Sequence, residues 1–255
     1  MFEIPSLRDE TRYGMPAADR LLFNRRYVVG YSYLFRQPRW ALELINRHTK
    51  QMADQDLKRL NNFREDPRVP EMFRSTLATF EGSKHDRGHL ISSADRLEDA
   101  LINSETFLMS NMSPQVGKFN RGVWKKLESA VRKLSRKKIM ATVGKVKKKV
   151  WKYAEVYVIC GPVFEIGSKL EVIGDPKEIK VVIPHAFFKS VLAEQRMGKL
   201  ELWSFLIPNE DTKQDPSNFL LPTVEVERRA GLELWDRLRG SEIDKLKAAK
   251  GKIWS

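Results

Sequence analysis

The sequence predicts an α+β fold, a mostly antiparallel central sheet flanked by helices, and three observations carry that prediction. Beyond Gly144 the chain breaks into short β-rich runs at residues 156–160, 163–166, 170–173, 179–183 and 200–207, separated by Gly, Pro and Asp. Before them, residues 120–138 space Val123, Trp124, Leu127, Val131 and Leu134 three and four apart, one apolar stripe on a helix whose other face is basic. After Pro222 helical periodicity returns with Leu234, Trp235, Leu238, Ile243 and Leu246.

Taken in order, residues 26–33 and 40–45 lean towards strands, and residues 46–62 form a polar stretch. Pro67 and Pro70 mark an extended loop. The pattern over 94–102 is helical, and 106–109 reads as a short buried strand. Residues 137–152, crowded with lysine, are expected to be a longer helix end or a loop. There is no internal repeat or low-complexity linker, so a single domain over 1–233 is expected. Residues 234–255 form a helical tail, packed on that domain or used for association.

Composition excludes several classes. With 42% apolar residues, including 13 Phe and 6 Trp, the chain can bury a core, which rules out wholesale disorder. A single cysteine, Cys160, cannot form an internal disulfide, so this is no stapled secreted scaffold. The apolar runs fall far short of the roughly 20 residues that cross a bilayer. Glu3, Asp9 and Glu10 near the start and the lack of an apolar h-region give no sign of a signal or transit peptide. The expected setting is therefore cytoplasmic or nucleoid-associated, with no membrane partner.

The formal charge of +13 is not spread over the chain. Between Gly117 and Lys152 there are fourteen basic residues and one acid, Glu128, so this window alone carries +13 and the remainder is neutral. Such concentration is the footprint of a surface that meets a polyanion, and also of a solvated basic helix face.

Beside that window lie His85, Asp86, Arg87, Gly88 and His89, then Asn111, Asn120 and Glu128. These residue types supply what a metal-assisted phosphodiesterase needs. Histidine titrates near neutrality and can take a proton from water, with a rate expected to fall below about pH 6.5. A hard cation that keeps most of its waters needs little more than one Asn carbonyl and one carboxylate. On a helix, Asn120, Trp124 and Glu128 at i, i+4 and i+8 fall on neighbouring parts of one face. His85 and His89 are spaced like a zinc pair, but Gly88 disfavours a helix there and no third ligand is near. His48 and His185 read as ordinary histidines, and Cys160 as a buried thiol.

The strings DRGH (86–89), NMSPQ (111–115) and FNRGVWKKLE (119–128) resemble the DNA/RNA non-specific endonucleases, the endonuclease G-like ββα-metal (His-Me finger) nucleases. The resemblance runs from about residue 38 to 234, with a motif core over 63–164. It extends through FREDPRVP and TFEGSKHDRGH to VYVICGPVF, IPHAFFKSV and WSFLIPN, which match the family's later strands. It implies a ββα-metal motif and a single Mg²⁺ or Mn²⁺. His89 would be the general base, Asn120 the direct metal ligand, and Glu128 a catalytic carboxylate that holds a metal-bound water. Arg87 would bind the scissile phosphate, and Asn111 would shape the site beside His89. DNA and RNA would be cut to 5′-phosphate ends by a homodimer. Two features depart from the family pattern: Lys84-His85 before Asp86, and the basic stretch 137–152.

Arg87, Arg121, Lys125, Lys145, Lys147, Lys148 and Lys149 are the expected nucleic-acid contacts. A nuclease active inside a cell also needs a compartment, a suitable target or a protein inhibitor. Two other classes compete: a nucleic-acid binder without turnover on the same scaffold, and a basic structural protein. The first leaves the retention of His89, Asn120 and Glu128 unexplained, and the second leaves the whole motif set to coincidence.

Overall fold

The computed structural model describes residues 8–45, 59–144, 146–165, 167–174 and 179–254. Its centre is a seven-stranded antiparallel sheet of β1 (Arg20–Asn24), β2 (Tyr27–Ser32), β3 (Gln37–Leu44), β8 (Tyr153–Val163), β11 (Ala186–Gln195), β12 (Leu200–Pro208) and β13 (Leu220–Leu221), in that spatial order. Three two-stranded ribbons stand outside it. They are β4 (His85–His89) with β5 (Met112–Val116), β6 (Lys138–Val143) with β7 (Val146–Trp151), and β9 (Val172–Ile173) with β10 (Val181–Val182). The helices are α1 (Ala100–Glu105), α2 (Gly117–Phe119), α3 (Lys125–Ser135), α4 (Thr223–Ala230) and α5 (Ser241–Ala248).

Strands β8 and β11 read as almost unbroken apolar runs because both faces of the sheet are covered. On one face Val156, Val158, Cys160, Phe187 and Val191 pack against Phe119, Trp124, Leu127 and Val131, the stripe of the central helix. On the other, Tyr157, Ile159, Phe188 and Leu192 meet Trp40, Val226, Leu234 and Trp235. Each fully buried Val, Leu, Ile or Phe side chain contributes about 1.5–3 kcal/mol relative to exposure, so this double-sided core dominates the stability.

Several sequence expectations are corrected here. Residues 94–102 are not one helix: a 3₁₀ turn covers Ser93–Asp95 and α1 starts at Ala100. Between them Arg96 is fully buried and ion-paired to Glu43 at 2.7 Å, and Asp99 caps α1 by accepting from the Leu101 and Ile102 N–H groups. Residues 106–109 are not a strand; only Leu108 bridges, to Arg64, before a 3₁₀ turn at Met109–Asn111. The runs at 156–160 and 163–166 join within one strand, β8, whose described continuation ends at Val163; Ile166 lies outside the described residues. Those at 170–173 and 179–183 shrink to the two-residue strands β9 and β10.

The helix expected over 120–138 is three pieces. It opens with α2, passes through a π-helical turn at Asn120–Trp124 with non-helical Gly122 inside it, and continues as α3 to Ser135. The lysine-rich residues that follow are neither helix nor open loop but the β6–β7 hairpin. In the tail, Leu234, Trp235 and Leu238 lie in an irregular segment, and the helix is confined to α5. Lys247 on α5 ties the tail to the body through Glu227 (2.8 Å) and the Leu234 carbonyl (2.6 Å). Among the described residues no helix is long and apolar enough to cross a membrane.

Candidate active site

Ribbon β4–β5 carries the histidine motif. Asp86 pairs with Gln115 and Gly88 with Ser113 in antiparallel register. Glycine is required at 88 by close approach: a Cβ there would lie 2.2 Å from the Gln115 side chain. His85 and His89 stand at opposite ends of this strand, about 13 Å apart at ~3.4 Å per residue, so they cannot share one ion. Among the described residues no group of three or more His, Cys, Asp or Glu is placed to hold a metal.

A cavity of about 420 Å³ opens where β4 meets the π-turn, lined by Arg59, Phe63, Glu81, His85, Asp86, Arg87, Asn120 and Arg121 among others. Asp86 joins the two elements. Its carboxylate accepts from Asn120 Nδ2 at 2.9 Å and from Arg121 at 2.6 and 2.7 Å. That bond fixes the Asn120 amide and leaves its carbonyl oxygen as a hard donor on the cavity wall. One such oxygen suits a divalent cation that keeps most of its waters, so the residues present fit the metal the resemblance implies. Arg87 places its guanidinium 4.3 Å from the centroid of Phe63 and lines the same space.

His89 lies behind Phe63. Its ring meets Phe63 and Phe107 edge-on at centroid distances of 5.6 and 5.1 Å. Among the described residues Nε2 is buried without a hydrogen-bond partner. Burial, reinforced by the charges of Arg59 and Arg87, pushes its pKa down to about 3. This burial moves the titration of His89 below the ordinary histidine range near pH 6.5 in which the loss of rate is expected.

Asn111 is fully buried and meets backbone only. It accepts from the Ile91 N–H (3.0 Å) and donates to the Ile91 and Thr106 carbonyls (3.0 and 2.9 Å). It clamps the chain just beyond His89. Glu128 is half-buried and does not line the cavity. Burial raises its pKa, Asp95 adds to this, and Lys189, Arg132 and a Ser92 hydrogen bond oppose it. Lys189 itself is buried, with Nζ 4.4 Å from the Trp124 ring centroid.

The structure thus gathers Arg87, Asn120 and Arg121 around one cavity, with His89 packed behind Phe63, Asn111 buried beyond it, and Glu128 half-buried off the cavity wall. Lys125 lies on the exposed face of α3. Lys147, Lys148 and Lys149 are on β7, away from the cavity, and Lys145 lies outside the described residues. Sequence reasoning missed the roles of Asp86, Phe63, Phe107 and Arg59. Asp86 stands inside the DRGH string and was legible there, whereas Arg59 belongs to a polar stretch without a motif.

The model of the DNA/RNA non-specific endonuclease family matches residues 7–241. Nuclease C1 of Cunninghamella echinulata var. echinulata is 34% identical over 253 residues, covering 96% of this chain and 94% of that protein. Mitochondrial endonuclease G of Caenorhabditis elegans is 33% identical over 257 residues, covering 95% and 77%. The crystal structure of the EndoG/EndoGI complex superposes with a TM-score of 0.77 at 30% identity, covering 90% of this chain and 91% of that one. The cytoplasmic or nucleoid-associated placement is overturned by these relatives: the worm protein, and others from human and two yeasts, are named as mitochondrial enzymes. With an α+β fold of this type and relatives that are nucleases over nearly its whole length, the chain belongs to the DNA/RNA non-specific endonuclease family and is a hydrolase of nucleic acids.

Proposed function

We propose that the protein is a Mg²⁺- or Mn²⁺-dependent, sugar-non-specific endonuclease that leaves 5′-phosphate ends. The observation that carries this reading is the placing of Arg87 and Asn120 on one cavity wall, with His89 packed edge-on against Phe63 of that wall and its Nε2 without a partner among the described residues. His89 Nε2 accepts the proton of the attacking water. Arg87, held against Phe63, neutralises the scissile phosphate and the charge that develops on it. Asn120 would hold the cation, with Glu128 contributing through water. When bound, the metal supplies Lewis-acid stabilisation of the charge on the phosphate and the departing 3′-oxygen. Asn111 keeps His89 in register, and Asp86 keeps Asn120 and Arg121 in place. Arg121 and Lys125 meet the flanking phosphates.

Plasmid DNA and RNA should both be degraded in the presence of Mg²⁺, with EDTA stopping the reaction and the fragments carrying 5′-phosphate. Absence of cleavage with Mg²⁺ and Mn²⁺ alike would reject the reading in favour of a binding protein. A mitochondrial setting, a homodimer and regulation by a protein inhibitor belong to the same proposal, the last supported by the inhibitor complex of the structural relative.

The pH dependence follows from His89. A base must be neutral, and this one stays neutral until the pH approaches its value of about 3. Log kcat/KM against pH should therefore show no inflection near 6.5 from this group. The unfolded chain takes up a proton on the same histidine near pH 6.5 whereas the folded chain does not, so acidification between these values lowers stability. Thermal melts across that range should show Tm falling with pH, less so in a His89→Ala variant.

A further inference from the structure

A second cavity of about 420 Å³ opens beside the first and shares Arg121 with it. Lys125, Lys126 and Lys133 on α3 line one side, and Asp215, Pro216 and Ile253 line the other. The Asp215 carboxylate accepts from the Ser217 N–H and hydroxyl at 3.0 and 2.7 Å and also feels the charge of Lys126, so one carboxylate faces four cations, Arg121, Lys125, Lys126 and Lys133. The groove is thus a cationic trough that starts at the mouth of the active site.

The β6–β7 hairpin springs from the far end of α3, its base closed by the Lys152 N–H donating to the Lys137 carbonyl at 2.8 Å. Its register sorts the side chains into two faces. Lys138 is opposite Trp151, Met140 opposite Lys149 and Thr142 opposite Lys147, and these share one face. Ile139 opposite Val150 and Ala141 opposite Lys148 share the other. Lys147 and Lys149 are therefore same-face neighbours, about 6.8 Å apart along the strand. They are joined by Lys138, whose Nζ lies 4.2 Å from the Trp151 ring centroid. Lys148 points to the opposite, more apolar face. The sequence alone treats all these lysines alike; the ribbon does not.

We propose that the α3 groove and the Lys138, Lys147 and Lys149 face of the hairpin form one track for the phosphate backbone of a long polynucleotide, remote from the bond being cut. This rests on the nuclease reading and extends it to a substrate class. From Asn120 to Ser135 the helical segment rises roughly 20 Å, so the base of the hairpin meets phosphates about six base pairs from the scissile one at ~3.4 Å per step. Long chains are gripped at both places; short oligonucleotides reach only the active site.

Binding of a labelled duplex of about 30 base pairs, three helical turns, measured in EDTA between about 50 and 200 mM salt, tests this without catalysis. Each lost phosphate contact flattens the slope of log K against log salt by about 0.9. The Lys147→Gln/Lys149→Gln and Lys126→Gln/Lys133→Gln variants should each flatten it by nearly two, and Lys148→Gln should leave it unchanged. In Mg²⁺, the Lys147→Gln/Lys149→Gln variant should have a raised KM for the duplex and an unchanged KM for a tetranucleotide. An unaltered slope in the double variants, or equal flattening by Lys148→Gln, would overturn the track. Slopes as expected with no cleavage by the wild-type protein would leave the track standing and reject the nuclease reading.

Discussion

Replacing His89 with alanine is expected to slow phosphodiester cleavage by about 10²–10⁴-fold, the usual contribution of a positioned general base. Among the described residues the ring's aromatic neighbours are Phe63 and Phe107, and it lies on a ribbon outside the main sheet, so the core on either side of β8 and β11 should survive. Initial rates on plasmid at saturating metal, with circular dichroism to confirm the fold, measure the effect. A folded variant that cut at the wild-type rate would sink the assignment. Since Nε2 takes up no proton until about pH 3, the defect should be nearly constant across the neutral range.

Asn120→Ala should reduce metal-dependent activity by at least about 10³-fold, the rate equivalent of the several kcal/mol a Lewis acid supplies. The loss has two parts. The substitution removes the carbonyl oxygen offered to the cation, and it removes the amide that Asp86 holds, leaving the carboxylate to Arg121 alone. Titration calorimetry with Mn²⁺ separates them: affinity should fall with activity. Undiminished affinity beside lost activity would show that Asn120 organises the cavity without ligating the ion.

Much of this architecture was legible because the determining signal was local. The stripe of Val123, Trp124, Leu127, Val131 and Leu134 announces the central helix, and the apolar runs of β8 and β12 announce a buried sheet. What stayed hidden depended on partners distant in the chain. Arg96 interrupts the expected helix because its buried guanidinium meets Glu43 across the core. The β6–β7 hairpin was masked by its charge: Ile139, Ala141, Val146 and Val150 recur at β spacing, but the surrounding lysines resemble a solvated helix end. At the site the motif residues were all visible, and the DRGH string marked the strand β4 that lines the cavity. Burial was not. No spacing rule reveals that Phe63 and Phe107 pack on His89 and that its burial changes its acidity, or that Glu128 is half-buried within the field of Asp95, Lys189 and Arg132 rather than placed on the cavity wall.

The seven-stranded sheet is covered on both faces, whereas the histidine strand belongs to a ribbon of two strands beside it, joined to the π-turn through the Asp86 side chain. The ribbon is nonetheless anchored, because β5 is buried, its Ser113 hydroxyl donates to Gln37 of β3, and Asn209 holds the Val116 N–H and the Pro114 carbonyl. The cleft that admits a bulky polyanion therefore has one wall fastened to the main sheet, so the site residues on β4 keep their places when substrate arrives.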